Sequence, residues 1–248
     1  MPNPVISIKG LSVSYGRKRV LTNIFMDFEP GHVYGIIGPN GAGKSTLFKA
    51  VLGLLDINAG SILIKGEPIE AHRRQVVYVP QKSDVDWSFP ATAFDIVLMG
   101  RYPHKKLLQR LNEHDRALAR AALKETGMEQ FENRQIGELS GGQQQRIFLA
   151  HALCQEAEIF LLDEPFVGVD ATTEDNIIKI LRSLAEEGKT ILVIHHDLSS
   201  VPEYFSRIAL INQRLITFGD TAEAFTKENI NKAYSGQLPI LHQTGGWE

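Results

Sequence analysis

Residues 33–46 read VYGIIGPNGAGKST, an apolar run that breaks into glycines and resumes as a helical pattern. Gly38-Pro39-Asn40-Gly41-Ala42-Gly43-Lys44-Ser45 fits G-x-x-x-x-G-K-[ST], with a strand before it and a helix from about Lys44. The glycines let the backbone curl so that successive N–H groups face one point, an anion nest at a helix N-terminus. Lys44 adds a full positive charge for β- and γ-phosphates, and Ser45 offers a hydroxyl to Mg²⁺. Asn40 and Thr46 complete the expected phosphate-binding set.

Outward from this loop, short β-branched runs alternate with longer helical patterns, which argues for an α/β architecture. Expected strands are 5–9, 24–28, 33–37, 61–64, 76–79, 158–162, 190–194 and 207–211, with a hairpin near 215–218. IFLL (159–162) and ILVI (191–194) are apolar at every position, as a parallel strand covered on both faces requires. Residues 92–154 hold three helical patterns, near 92–99, 113–126 and 141–154, and read as a helical insertion. One domain is expected over 1–235, with a core of 1–91 and 155–218. Short helices and a tail are expected over 219–248.

IFLLDEP places two adjacent carboxylates at the end of a buried strand. In such sheets active sites lie beyond the carboxyl ends of the strands. Asp163 is expected to hold Mg²⁺, and Glu164 to polarise a water aimed at the γ-phosphate. Leu139-Ser140-Gly141-Gly142-Gln143 satisfies the capping-box pattern, with Ser140 as N-cap and Gln143 three residues on. Capping does not need two glycines, which weaken a helix. They make sense if a phosphate approaches the backbone there.

Composition narrows the classes. The 248 residues carry a net charge of −3, and the basic runs Arg17–Arg19, Arg73–Arg74 and Lys105–Lys106 are short. They read as solvated surface, and no nucleic-acid partner is expected. The single cysteine, Cys154, rules out an intramolecular disulfide and shares a register with Ile147 and Ala150, so it reads as core filler. MPNPVISIKG lacks the apolar centre of a signal peptide, and no apolar run approaches a spanning helix. The eight histidines form no i, i+4 pair on a helix.

Together these motifs resemble the ABC ATPase family over nearly the whole chain. The resemblance implies a P-loop NTPase (RecA-like) core with an antiparallel β subdomain and an inserted α-helical subdomain. It implies ATP and Mg²⁺ as cofactors and a head-to-tail homodimer with ATP between the subunits. In that family the segment matching Ser140, Gly141, Gly142 and Gln143 binds the γ-phosphate of ATP held by the other subunit. Tyr15 matches the aromatic that stacks on adenine, and Gln81 the glutamine that touches the metal site. Asp170 matches the loop that speaks across the dimer, although Val167-Gly168-Val169 departs from the commoner Ser-Ala-Leu. In VIHHDL, His196 matches the γ-phosphate switch, and strand alternation turns His195 elsewhere.

DVDWSFP (84–90), MGRYPH (99–104), EPFVGVD and HHDL are similar to the branch that imports manganese, zinc or iron, with manganese favoured. FGDTAEAFTKENINKAYSGQL (218–238) fits the same branch. The resemblance implies a separate membrane permease and, indirectly, an extracytoplasmic metal-binding protein. The chain would then sit on the cytoplasmic face of the plasma membrane. A soluble ABC ATPase acting on ribosomes or DNA is the rival, and an exporter subunit a third reading. Trp87, in the loop after Gln81, is the expected anchor for the permease, with Phe89 either anchor or core.

Overall fold

The computed structural model describes residues 4–106 and 108–234. Its strands are β1 (Ile6–Tyr15), β2 (Lys18–Phe28), β3 (His32–Ile37), β4 (Ala59–Ile64), β5 (Val76–Val79), β6 (Ile159–Asp163), β7 (Thr190–His195), β8 (Arg207–Asn212) and β9 (Arg214–Asp220). Its helices are α1 (Lys44–Val51), α2 (Ile69–His72), α3 (Ala93–Met99), α4 (Glu113–Glu125), α5 (Gly141–Cys154), α6 (Ala171–Glu186), α7 (Val201–Tyr204), α8 (Thr221–Ala224) and α9 (Lys227–Tyr234).

The larger sheet runs β5-β6-β7-β3-β8-β9. It is parallel except for β9, which folds back on β8. Every residue of β6 and β7 is buried, as their unbroken apolar runs demand. Side chains alternate across the sheet: Phe160 and Leu162 enter one core, Ile159 and Leu161 the other. The first core is covered by α5 and α6. The second holds Leu47 and Phe48 of α1 and is closed by the smaller antiparallel sheet, β2-β1-β4.

β1 and β2 are longer than the sequence suggests. Gly10 (φ +65°) and Asn23 (φ +53°) interrupt the alternation inside them, and register shifts follow Ile8 and Leu11. Both strands continue past these breaks through backbone pairing, which a side-chain pattern does not record.

The helical layer falls where its periodicity puts it. Thr92, Asn112 and Ser140 cap α3, α4 and α5, each with a reciprocal capping box. Val97, Ala119, Leu123, Ile147, Ala150 and Cys154 form its own core. Cys154 is buried there, and burial pushes its thiol up to about 12. The other side of α5 sends Leu149 and Ala152 into the core of the large sheet. One expectation fails: Lys105 is not solvated surface. Its Nζ lies 2.5 Å from Asp115 Oδ2, and Arg101 joins the same carboxylate. Among the described residues no helix is long and apolar enough to cross a membrane. The expected tail beyond Tyr234 lies outside the described residues.

Candidate active site

Parallel register assembles the site. Ile37 pairs with His195, Asp163 with Ile194, and Val79 with Leu162, so four strands end at one edge. From that edge emerge the loop 38–45, His196, Glu164 and Gln81. Gly38, Pro39 and Asn40 of the loop, with Gln81, Glu164 and His196, line an open cleft of about 570 Å³ whose other walls are Val167 and Tyr234. A cavity of that size suits a small-molecule ligand.

The phosphate-binding loop is held from both sides. A Cβ at position 38 would lie 2.0 Å from Ile211 O, so only glycine lets β8 come this close. Gly43 has φ +98°, and a side chain there would meet Leu21 of β2 at 2.6 Å. The Gln213 N–H donates to Ala42 O at 2.9 Å. Lys44 is buried and donates from Nζ to Gly38 O at 2.7 Å and Pro39 O at 3.0 Å. Burial lowers its pKa, against the opposing pull of Glu164 and Asp163.

Asp163 is buried at the end of β6, and burial raises its carboxyl above the usual range. Ser45 hydrogen-bonds it from α1, and the Tyr78 hydroxyl lies 3.4 Å from Oδ2. Glu164 follows in a left-handed conformation (φ +51°), its N–H donating to Ile194 O at 3.2 Å. Such backbone strain in a non-glycine residue clusters at functional sites. The turn aims the carboxylate into the cleft, where Gln81 Nε2 donates to Oε2 at 2.8 Å and His196 Nδ1 lies 4.0 Å from Oε1.

The two histidines part company. His196 is exposed on the cleft, whereas His195 is buried with Nε2 2.7 Å from Ser200 Oγ. Aromatic rings of Phe166, Tyr204 and Phe205 surround His195, and burial brings its pKa down to about 4.

Other expected residues stand apart from the cleft. Tyr15 ends β1 and is 51% exposed. Ser140, Gly141, Gly142 and Gln143 open α5, where Ser140 Oγ accepts from the Gln143 N–H at 3.4 Å. Asp170 and Thr173, at the start of α6, lie beside Gly142. Asp170 caps α6 by accepting from the Thr173 N–H at 2.9 Å. Thr46 lies within α1, next to Ser45.

The family model described as ABC transporter matches residues 21–167, which contain the phosphate-binding loop, the α5 start and the Asp163–Glu164 pair. The chain belongs to the ABC transporter family. It is therefore an ATP-binding ABC ATPase. The manganese transport system ATP-binding protein MntB of Halalkalibacterium halodurans is 47% identical to it, over 95% of this chain and 94% of that protein. The zinc transport system ATP-binding protein TroB of Treponema pallidum is 49% identical, over 94% of this chain and 88% of its own. Among solved structures, cbiO1 of Clostridium perfringens, part of the ABC transporter complex cbiONQ, superposes with a TM-score of 0.79. It is 30% identical and covers 96% of both chains.

Sequence reasoning missed Tyr78 and Tyr234. Tyr78 sits mid-strand and reads as core. Tyr234 lies nearly two hundred residues from the loop it faces, so no local pattern points to it.

The two aromatic side chains of the loop after Gln81 are placed differently. Trp87 is half-buried: its Nε1 donates to Lys82 O at 2.9 Å and its ring meets Phe148 edge-on at 5.2 Å. Phe89 is 53% exposed. It opens a groove of about 270 Å³ with Ala91, Leu98, Met99, Tyr102 and Leu111.

Proposed function

We propose that this ABC ATPase hydrolyses ATP to power import of a divalent metal cation through a separate membrane permease, with manganese favoured over zinc and iron. The observation that carries the cargo is the likeness to the manganese and zinc transport subunits, which extends over nearly the whole chain. The geometry that supports the chemistry is the convergence of Gln81, Glu164 and His196 on one cleft, beside Gly38 and Pro39, whose carbonyls hold Lys44.

In this reading Lys44 leaves its loop carbonyls for the β- and γ-phosphates, a move its ammonium can make without changing charge state. Glu164 orients and polarises the attacking water, and Gln81 holds the carboxylate until nucleotide arrives. His196 contacts the terminal phosphate. Ser45, Asp163 and Gln81 offer hard oxygen donors that fit Mg²⁺, which supplies charge neutralisation across the phosphates when bound.

The site is completed by a second copy. Ser140–Gln143 stand outside their own subunit's cleft, so their glycine-rich helix start is free to face the partner's nucleotide. Two sites of this kind close around a two-fold axis. ATP favours the closed dimer and hydrolysis releases it. The Phe89 groove then receives an apolar permease segment, so the chain works from the cytoplasmic face of the membrane.

Cellular manganese, zinc and iron measured with and without this subunit test the cargo. Loss of manganese accumulation, restored by the wild-type chain and not by Lys44→Ala, is expected. Unchanged metal contents alongside co-purification with ribosomes would overturn the transport reading.

A further inference from the structure

Tyr234, the last described residue, has no place in the machinery above, yet it lines the cleft. Its side chain is buried (9% exposed), and its hydroxyl has no hydrogen-bond partner among the described residues. A buried hydroxyl left unpaired is costly. Such a group calls for an explanation, and a bound water, ion or ligand that accepts from it is one.

The position of Tyr234 is fixed by the strand that fixes the phosphate loop. At the end of β8, Ile211 O presses on Gly38, and the next-but-one N–H, from Gln213, donates to Ala42 O. Between them Asn212 turns the other way and donates from Nδ2 to Ala233 O at 2.7 Å. Three consecutive residues thus hold the phosphate loop on one side and α9 on the other. Tyr234 lines the same cleft as Pro39, Asn40, Gln81, Glu164 and His196.

We propose that the Tyr234 hydroxyl donates a hydrogen bond to the terminal phosphate of ATP, making the C-terminal helix a sensor of triphosphate over diphosphate. This rests on the reading of the cleft as the ATP site. Three observations select this acceptor. The cleft that Tyr234 lines also holds His196 and Glu164, assigned to the terminal phosphate and its attacking water, and the hydroxyl awaits a partner. Burial also pushes the phenol up to about 12, so it keeps its proton and can donate to an anion near neutral pH. ADP offers no acceptor at that end. The terminal phosphate would thereby tie α9 to the nucleotide state.

The test compares binding of a non-hydrolysable ATP analogue and of ADP, each with Mg²⁺, to the full chain and to Tyr234→Phe. The variant keeps the ring and is expected to melt no lower than wild type without nucleotide, since it removes an unpaired group. Its affinity for the ATP analogue should fall about tenfold while ADP binding stays unchanged. Asn212→Ala, which frees α9 from β8, should shift the ratio in the same direction. An unchanged ATP-to-ADP ratio in both variants overturns the proposal, as does an equal loss of both nucleotides. A drop in melting temperature for Tyr234→Phe at unchanged ratio also overturns it, because the phenol is then packing alone. If wild type binds neither nucleotide, the reading of the cleft itself fails, which the ADP arm reports separately.

Discussion

Val79 pairs with Leu162, and two residues beyond each, Gln81 donates to Glu164 at 2.8 Å. A strand register therefore sets the contact between the end of β5 and the carboxylate after β6. That carboxylate is held by an amide rather than by His196, which lies further off at 4.0 Å.

Glu164→Gln should keep nucleotide binding, because Lys44, Ser45 and Asp163 are untouched. Loss of a group that polarises water typically removes 10²–10⁴ in rate, so phosphate release should fall at least about 100-fold. An ATP-bound dimer should persist in light scattering. Normal turnover in this variant would remove Glu164 from its assigned role.

The division of labour between copies can be read from two inactive variants. Lys44→Ala should weaken ATP binding by a single chain. Ser140→Arg should spare that binding and block dimer closure, since Ser140 stands outside its own cleft. Mixed together, they rebuild at most one complete site per heterodimer, and some ATPase activity should return. Equal loss of ATP binding by both variants would place the α5 start in its own subunit's site.

Asp115 tests the buried ion cluster. It is 1% exposed and accepts from Arg101 Nε at 3.3 Å. Burial raises its carboxyl, but the Asn112 N–H, Lys105 and Arg101 outweigh this and bring it to about 2. The folded value lies below the ~3.9 of an unfolded chain. Its contribution is thus fully present above pH ~4 and lost as pH falls toward 2. Asp115→Asn should destabilise the protein by about 3 kcal/mol at pH 7. Urea midpoints of both proteins at pH 7, 4 and 3 should show the gap narrowing in acid, and a constant gap would locate its source elsewhere.

Trp87 and Phe89 should separate stability from assembly. Trp87→Ala removes a ring packed on Phe148 and is expected to cost about 2–3 kcal/mol in the isolated subunit. Phe89→Ala should leave the melting temperature and ATP affinity unchanged. It should weaken recovery of the permease in a pull-down by about 2 kcal/mol. Normal recovery with Phe89→Ala would mean the groove does not receive the permease.

Much of the fold was legible because its signals are local. The phosphate loop announces itself by glycine spacing, β6 and β7 by unbroken apolar runs, and α3, α4 and α5 by caps and periodicity. What escaped depends on contacts between distant segments. β1 and β2 continue past Gly10 and Asn23 because each pairs with the other, and Lys105 finds Asp115 across a loop. Val85-Asp86-Trp87-Ser88-Phe89 gives no hint of which ring turns inward, because Lys82 O and Phe148 decide it. Asp163 and Glu164 could be named because they end an unbroken apolar strand, whereas Gln81 and His196 were named through the resemblance to the ABC ATPase family. Tyr234 could not, since it reaches the cleft only because α9 packs back on β8, where Asn212 holds Ala233 O.

The two-sided packing of α5 limits how the helical layer can be exchanged between relatives. Leu149 and Ala152 are cut to fit the floor under β5 and β6, while Ile147, Ala150 and Cys154 are cut to fit α3 and α4. A chimera that imported residues 92–154 alone would bring a helix shaped for another protein's floor. The mismatch would surface as poor expression rather than altered partner choice. The transferable unit is the insertion together with the side chains of Val77, Val79, Phe160 and Ile177 that face it, a module that is not contiguous in the gene.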